Sequence, residues 1–285
     1  MILAFDIGAT YFRVGLGNKM GFKFILIERS KRGSRLLTQI LEKIFEFNPE
    51  KVSIAIKGSL DLKKGKILNS LKLGIKNFDL VRFLKERTKK EIFLINDCLA
   101  GALGEKVYGG AKRYENFVYL NLGSGIGAGI FVDGKLLFGK DGNAHEVGHM
   151  MIDVNQTMKC TCGKKGHWEA YCSGDKLIEF VKKEVGKNFE LTPKKFFELR
   201  NRKTFKRVFK KFVEFNAIGI ANLINLYDPE SIIFNGGIIL NNKFLIPLFK
   251  KYVKNYVFNR MPKFEIAKLK EFSPLYGALA FAFKR

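Results

Sequence analysis

Apolar positions along this chain alternate or mass into short runs in an order that is used twice. Ile2 to Phe5 is an apolar run that closes on Asp6-Ile7-Gly8-Ala9-Thr10. Alternation over Phe12 to Leu16 and Phe22 to Ile27 predicts two antiparallel hairpins, with turns at Gly8 and at Asn18 to Gly21. Leu37, Ile40, Leu41 and Ile44 recur at helical spacing and predict a helix over Leu36 to Phe47. Buried strands are expected at Val52 to Ile56 and Ile92 to Ile95, and helices at Phe78 to Arg87 and Asn96 to Val107. The opening order then returns. Phe117 to Leu122 reads as a strand, Gly123-Ser124-Gly125-Ile126-Gly127 as a glycine-rich turn, and Ala128 to Val132 as a second strand. Asp133-Gly134 is a hairpin turn before a third strand at Lys135 to Phe138. Helices dominate Asp175 to Asp228, Ile232 to Phe234 is a strand ending in Asn235-Gly236-Gly237, and Pro274 to Phe283 is a helix of small residues. The expected fold class is therefore α/β, two similar lobes with a ligand cleft between them, because open sheets bind ligands beyond the carboxyl ends of their strands.

Composition is compatible with this. A chain of 285 residues that is 47% hydrophobic supplies core for two lobes. No apolar run approaches bilayer length, and Met1 to Asp6 lacks the basic head and cleavage site of a leader. A cytoplasmic protein with no membrane partner is expected. The formal net charge of +24 admits a nucleic-acid partner or a Lys-rich solvated surface from a hot environment. Lys and Arg are spread along the whole chain and Glu is plentiful, so the solvated surface is the reading adopted, with no nucleic-acid partner. The densest basic stretch, Lys203 to Lys211, reads as a helix with Phe205, Val208, Phe209 and Phe212 on its other face.

Three glycine turns can bring backbone N–H groups close to phosphate oxygens. They carry Asp6, Gly8, Ala9 and Thr10; Gly123, Ser124, Gly125 and Gly127; and Gly236-Gly237. None has the P-loop spacing. Cys160, Cys162 and Cys172 fall in the same region as His145, His149 and His167, which points to metal rather than disulfides. His149, Cys160, Cys162 and His167 are four donors of the type that suits tetrahedral Zn²⁺. The spacing is not that of a zinc finger, so a buried or reactive cysteine pair stays open. Asn96-Asp97 follows a buried strand and opens a helix, where an Asp is a cap or a proton acceptor. Asp6 is a turn-stabilising Asp or a cation-facing one.

In combination these segments resemble the ROK kinases and repressors. The resemblance rests on Phe5-Asp6-Ile7-Gly8-Ala9-Thr10, Asn96-Asp97, Leu122 to Gly129, Glu146-Val147-Gly148-His149, Cys160-Thr161-Cys162-Gly163 and Gly166-His167-Trp168-Glu169, and runs from residue 2 to about residue 280. It implies an actin-like (ribonuclease H-like) pair of lobes, residues 1–112 with 272–285 and residues 113–271. It implies ATP-dependent phosphorylation of a hexose, of glucokinase or hexokinase type, with Asp97 as general base. Gly58, Asn96, Asp97, Glu146, His149 and Glu169 become sugar contacts. Asp6 joins the Mg²⁺ environment, and Gly8, Ala9, Thr10, Gly123, Ser124, Gly125, Gly236 and Gly237 become ATP contacts. A structural zinc on His149, Cys160, Cys162 and His167 is implied, with His167 where relatives carry a third Cys, and a metal loop that fixes Glu146 and Glu169. A homodimer or homotetramer is implied as well.

The pattern also departs from the family. Ala9 stands for a second Gly, which suits a residue with negative φ, and Ser124 stands for Thr. The loop Lys57-Gly58-Ser59-Leu60-Asp61 lacks both usual prolines, and Ser70-Leu71-Lys72-Leu73 puts Lys72 where Asn is frequent. Those two lysines are solvent-facing or sugar-facing. The alternatives are a kinase for an N-acetylhexosamine or other substituted sugar, and a sugar-binding regulator lacking its DNA-binding domain, since the first strand begins at Ile2. An actin-like filament or chaperone ATPase would share the glycine turns but has no use for the zinc loop.

Overall fold

The computed structural model describes residues 1–186 and 190–283. The described chain clusters into two units. The first joins Met1–Tyr114, Gly129–His145 and the residues from Ala267 onward; the second joins Glu115–Ala128 and Glu146–Ile266.

In the first unit the N-terminal alternation becomes β1 (Ile2–Ile7), β2 (Tyr11–Asn18) and β3 (Gly21–Arg29), followed by α1 (Ser34–Phe47) and β4 (Lys51–Ile56). A small antiparallel sheet of β5 (Ser59–Asp61), β6 (Lys66–Ser70) and β7 (Ile75–Asp79) comes next, a feature the hydrophobic pattern did not announce. After it come α2 (Leu80–Thr88), β8 (Glu91–Asn96) and α3 (Asp97–Val107). The expected start of α2 at Phe78 is corrected: Phe78 pairs with Ile67 in the small sheet, and the Asp79 side chain accepts from Arg82 N to cap the helix. The main sheet has the order β3-β2-β1-β4-β8. β1 and β2 are antiparallel and β1, β4 and β8 parallel. Leu3, Phe5, Ile7, Val52, Ile54 and Ile56 from this sheet pack with Leu36, Ile40 and Ile44 of α1.

The second sheet has the order β11-β10-β9-β12-β13 and repeats the plan, a hairpin followed by parallel strands. Its strands are β9 (Phe117–Leu122), β10 (Ile126–Val132), β11 (Lys135–Leu136), β12 (Ser231–Asn235) and β13 (Lys263–Ile266). β10 begins two residues earlier than the glycine pattern implied, and β11 stops two residues short of Phe138. Between β11 and β12 come α4 (Glu169–Cys172), α5 (Leu177–Val185), α6 (Pro193–Leu199) and α7 (Lys203–Tyr227). Next to β12 and β13 lie α8 (Gly237–Asn241) and α9 (Leu245–Val253), and α10 (Ser273–Phe283) closes the described chain. Along α7, Phe205, Val208 and Phe212 are buried and Phe209 is half-buried, while Lys203, Lys206, Arg207 and Lys210 are exposed, so the basic run does cover a solvated face.

Two contacts hold the elements that carry the candidate residues. α3 is buried from Cys98 to Glu105, and α10 lies so close that a Cβ on Gly277 would meet Ala100 O at 1.6 Å. The fully buried Glu105 ties the approach to α10. Its oxygens accept from Gly110 N at 2.8 Å, Lys268 N at 3.2 Å, Leu269 N at 2.9 Å and Ser273 Oγ at 2.8 Å. In the second unit Trp168 is buried against Gly219 of α7 and donates from Nε1 to Asn216 Oδ1 at 3.1 Å. Among the described residues no helix is long and apolar enough to cross a membrane.

Candidate functional site

The antiparallel register sets Asp6 of β1 opposite Arg13 of β2. Arg13 Nη1 donates to Asp6 Oδ2 at 2.8 Å, an ion pair nearly closed to solvent. Asp6 is therefore not a turn-stabilising residue bonded to its own loop. Burial pushes its carboxyl up to about 7, the Arg13 charge pulls against that, and the nearby Asp97 charge adds to the rise. The turn itself closes through Gly8 N donating to Tyr11 O at 3.0 Å. Ser30 braces it, donating from Oγ to Gly8 O at 2.7 Å and from N to Thr10 O at 3.1 Å. Ala9 keeps φ out of the positive range, which is why a Cβ is tolerated there, and Thr10 is exposed.

At the carboxyl end of β8 the helix cap is Asn96, not Asp97. Asn96 Oδ1 accepts from Cys98 N at 2.7 Å and Leu99 N at 3.4 Å, an arrangement of about 1 kcal/mol over Ala. Its Nδ2 donates to Gly58 O at 3.2 Å. Gly58 sits at φ 136°, where a Cβ would meet Asn69 O at 2.5 Å. Asp97 is thus left as the first residue of α3, half-buried, with Oδ1 accepting from Cys98 N at 3.0 Å. The structure brings Gly58, Asn96 and Asp97 to one place, and Asp6 near Asp97. Lys57 and Lys72 are each half-buried.

In the second unit the other two glycine turns meet. Gly236 adopts φ 92° with its Cβ position 2.4 Å from Leu122 O, and the Gly123 Cβ position lies 3.8 Å from Gly237 N. Gly123 N donates to Gly125 O at 3.0 Å, and Gly174 N donates to Gly123 O at 2.8 Å. Asp175 N donates to Ser124 O at 3.3 Å. Gly174 was not singled out in the sequence; its signal is a Ser173-Gly174 pair breaking two helices, which alone reads as a linker.

The four expected ligands come together. One donor atom each from His149, Cys160, Cys162 and His167 lies within 4.8 Å of the others. Cys160 Sγ is 3.6 Å from His149 Nδ1, and Cys162 Sγ is 3.3 Å from His167 Nδ1. A tetrahedral zinc with bonds of about 2.0–2.3 Å has donor–donor edges of about 3.3–3.8 Å, so these two pairs match its edges and the two Cys and two His are a donor set that suits the ion. Burial works to raise the Cys160 thiol, yet the hydrogen bond from His149 and its neighbours bring it down to about 6. His149 is raised to about 11, first by that bond to Cys160 and then by Glu146. His149 Nε2 lies 3.3 Å from Glu146 Oε2, so Glu146 braces this ligand in the carboxylate–imidazole pattern of metal sites. Cys98 and Cys172 are buried core thiols.

The half-buried Glu169 opens α4 beside Trp168. Its Oε1 accepts from Thr161 Oγ1 at 2.8 Å and its Oε2 from Ile126 N at 2.9 Å. The sequence singles out Glu169 but does not join it to Ile126 or Thr161, because one donor is a backbone N–H and the other a hydroxyl eight residues away between two cysteines.

The chain matches the ROK family over residues 2–285. It belongs to that family. It is 34% identical over 293 residues to a glucokinase of Pyrobaculum calidifontis, covering 99% of this chain and 95% of the relative. A xylose repressor of Caldicellulosiruptor bescii is 26% identical, covering 98% of this chain and 77% of the repressor. Among solved structures, a ROK glucokinase from Streptomyces griseus in complex with glucose and AMPPNP superposes with a TM-score of 0.84 at 22% identity, covering 100% and 99% of the two chains. The fold is accordingly that of the ROK kinases, the actin-like α/β architecture, and in this ROK chain the glycine turns sit at corresponding strand ends of the two sheets.

Proposed function

We propose that this ROK protein is a sugar kinase that moves the γ-phosphoryl group of ATP to a hexose hydroxyl, with glucose as substrate. The observation that carries the reading is Asp97: a half-buried carboxylate at the first turn of α3, anchored through one oxygen and flanked by Asn96 and Gly58. The second oxygen is the acceptor for the hydroxyl proton as the sugar oxygen attacks phosphorus. The full-length similarity to a glucokinase supports the same assignment.

The remaining roles rest on residue type and placement. Thr10 and Ser124 offer hydroxyls, and the turns at Gly8, Ala9, Gly123, Gly125, Gly236 and Gly237 offer backbone, to the nucleotide. Asp6, held beside Arg13, orients water around Mg²⁺, which when bound spreads the charge of the transferred phosphoryl group. Glu146 and Glu169 accept from sugar hydroxyls, and His149 through Nε2 and Asn96 through Nδ2 donate to them. The four-ligand cluster takes a structural Zn²⁺, since all four positions are filled by protein and none is left open for chemistry. A homodimer or homotetramer is the expected assembly.

A coupled assay across glucose, other hexoses, N-acetylhexosamines and acidic sugars, each with ATP, ADP and polyphosphate, tests this. Turnover of glucose with ATP is expected. The second reading, a sugar-responsive regulator, draws on the xylose repressor similarity. A silent kinase panel with sequence-selective retention on duplex DNA would replace the kinase reading with it.

A further inference from the structure

Glu169 does more than face a ligand: it joins two parts of the second unit. One oxygen takes the hydroxyl of Thr161 and the other the N–H of Ile126. Thr161 lies between Cys160 and Cys162, two of the four cluster residues, and its Oγ1 is 3.8 Å from Cys160 Sγ. Ile126 is the first residue of β10, directly after the Gly123 to Gly125 turn. A side chain between two metal ligands is fixed when the ion is bound and freed when it is not. A carboxylate that has accepted one bond at each oxygen keeps lone pairs for hydroxyls, in a plane set by its two donors.

The base of the loop needs no ion to stay in place. Asp153 accepts from Thr157 N and Asn155 N at 3.1 Å each and from Thr157 Oγ1 at 2.7 Å. Gly166 N donates to Met158 O at 3.1 Å, and Ile152 N donates to Gly166 O at 2.9 Å. The tip differs: Cys162 and Thr161 are exposed, and the backbone bonds there, Cys160 N to Lys164 O at 2.8 Å and Gly163 N to Cys160 O at 3.0 Å, close a small turn. The segment that loses its anchor on metal removal is the one that carries Thr161.

We propose that Thr161 is a positioning residue that passes the occupancy of the His149, Cys160, Cys162 and His167 cluster to Glu169, and through Glu169 to Ile126 at the exit of the second glycine turn. Zinc thereby sets sugar affinity, and the step of phosphoryl transfer is untouched. The sugar half of the proposal rests on the kinase reading; the Ile126 half does not.

The test compares the wild-type chain with Thr161→Val and Thr161→Ser, each zinc-loaded and each chelated, with metal content checked by mass spectrometry. The sugar is whichever member of the panel the wild type phosphorylates fastest, and affinity is read by titration calorimetry alongside KM and kcat. Chelation should weaken sugar binding to the wild type about tenfold, the scale of one hydrogen bond to a charged acceptor. Zinc-loaded Thr161→Val should already show a loss in affinity and KM with kcat little changed, and chelation should weaken it by less than it weakens the wild type, the remainder passing through His149. Thr161→Ser should behave as wild type. A sugar-free readout runs in parallel: amide exchange at Ile126 should quicken on chelation of the wild type and be already quick in Thr161→Val. The proposal is overturned if zinc-loaded Thr161→Val matches wild type, if Ser behaves as Val, or if chelation weakens Thr161→Val as much as it weakens the wild type. A wild type that phosphorylates no sugar ends the kinase reading, and Ile126 exchange then decides the bridge alone.

Discussion

Asp97 and Asp6 share one neighbourhood and are set apart by their partners. Asp97→Asn keeps the shape and the bond from Cys98 N but removes the proposed proton acceptor. Turnover in the coupled assay should fall by about 10²–10⁴, with sugar affinity by calorimetry within a few-fold of wild type. Near-normal turnover would remove Asp97 from the mechanism. Asp6 makes a different prediction, about stability. Its carboxyl is raised from 3.8 to about 7 by burial, so between those values the folded chain binds more protons than the unfolded one. Stability contributed by this group is then complete below about pH 4 and is lost as pH rises through about 7. Denaturant unfolding across that window should show the slope, and Asp6→Asn should flatten it. Neither assignment could be completed from sequence. The Asp6–Arg13 pair depends on strand register, and the capping role passes to Asn96 because of backbone angles, not residue identity.

At the scale of elements, periodicity went furthest where one face is buried. β1 to β4, α1, α3 and α7 follow their apolar pattern to within a few residues; α1 and α7 have one buried face that fixes their period, while β1, β4 and α3 are apolar runs buried nearly throughout. The small sheet from Ser59 to Asp79 escaped, since its strands are short, half solvated and interrupted by Gly65, Gly74 and Asn77 at positive φ. The candidate metal cluster was legible for the opposite reason: His and Cys are rare here and four of them crowd one loop. That loop should hold about one zinc per chain by mass spectrometry, and Cys160→Ser should lose it and lower Tm by several degrees. Full zinc content in that variant would place the ion elsewhere. The α3–α10 contact offers another test. A methyl at Gly277 would overlap Ala100 O, so Gly277→Ala should destabilise by about 3 kcal/mol or prevent folding, measured by chemical unfolding. A stable Gly277→Ala chain would show that α10 can slide on α3.

Across the whole molecule, charge is the feature that composition overstates. A net charge of +24 invites a nucleic-acid role, yet the densest run lies on the solvated side of a helix whose other side is Phe205, Val208 and Phe212. Retention on duplex DNA should be non-selective and collapse by about 0.2 M salt, as expected of scattered cations. Selective retention at higher salt would revive the regulator reading. The seat of α10 on α3 also orders the birth of the molecule. β1, β4 and α3 leave the ribosome long before α10, and until it arrives the side of α3 that carries Ala100 and Gly104 lacks its partner. A nascent chain therefore has both sheets' strands in hand before it has a rigid α3, and activity should appear in one late step of synthesis instead of growing with length.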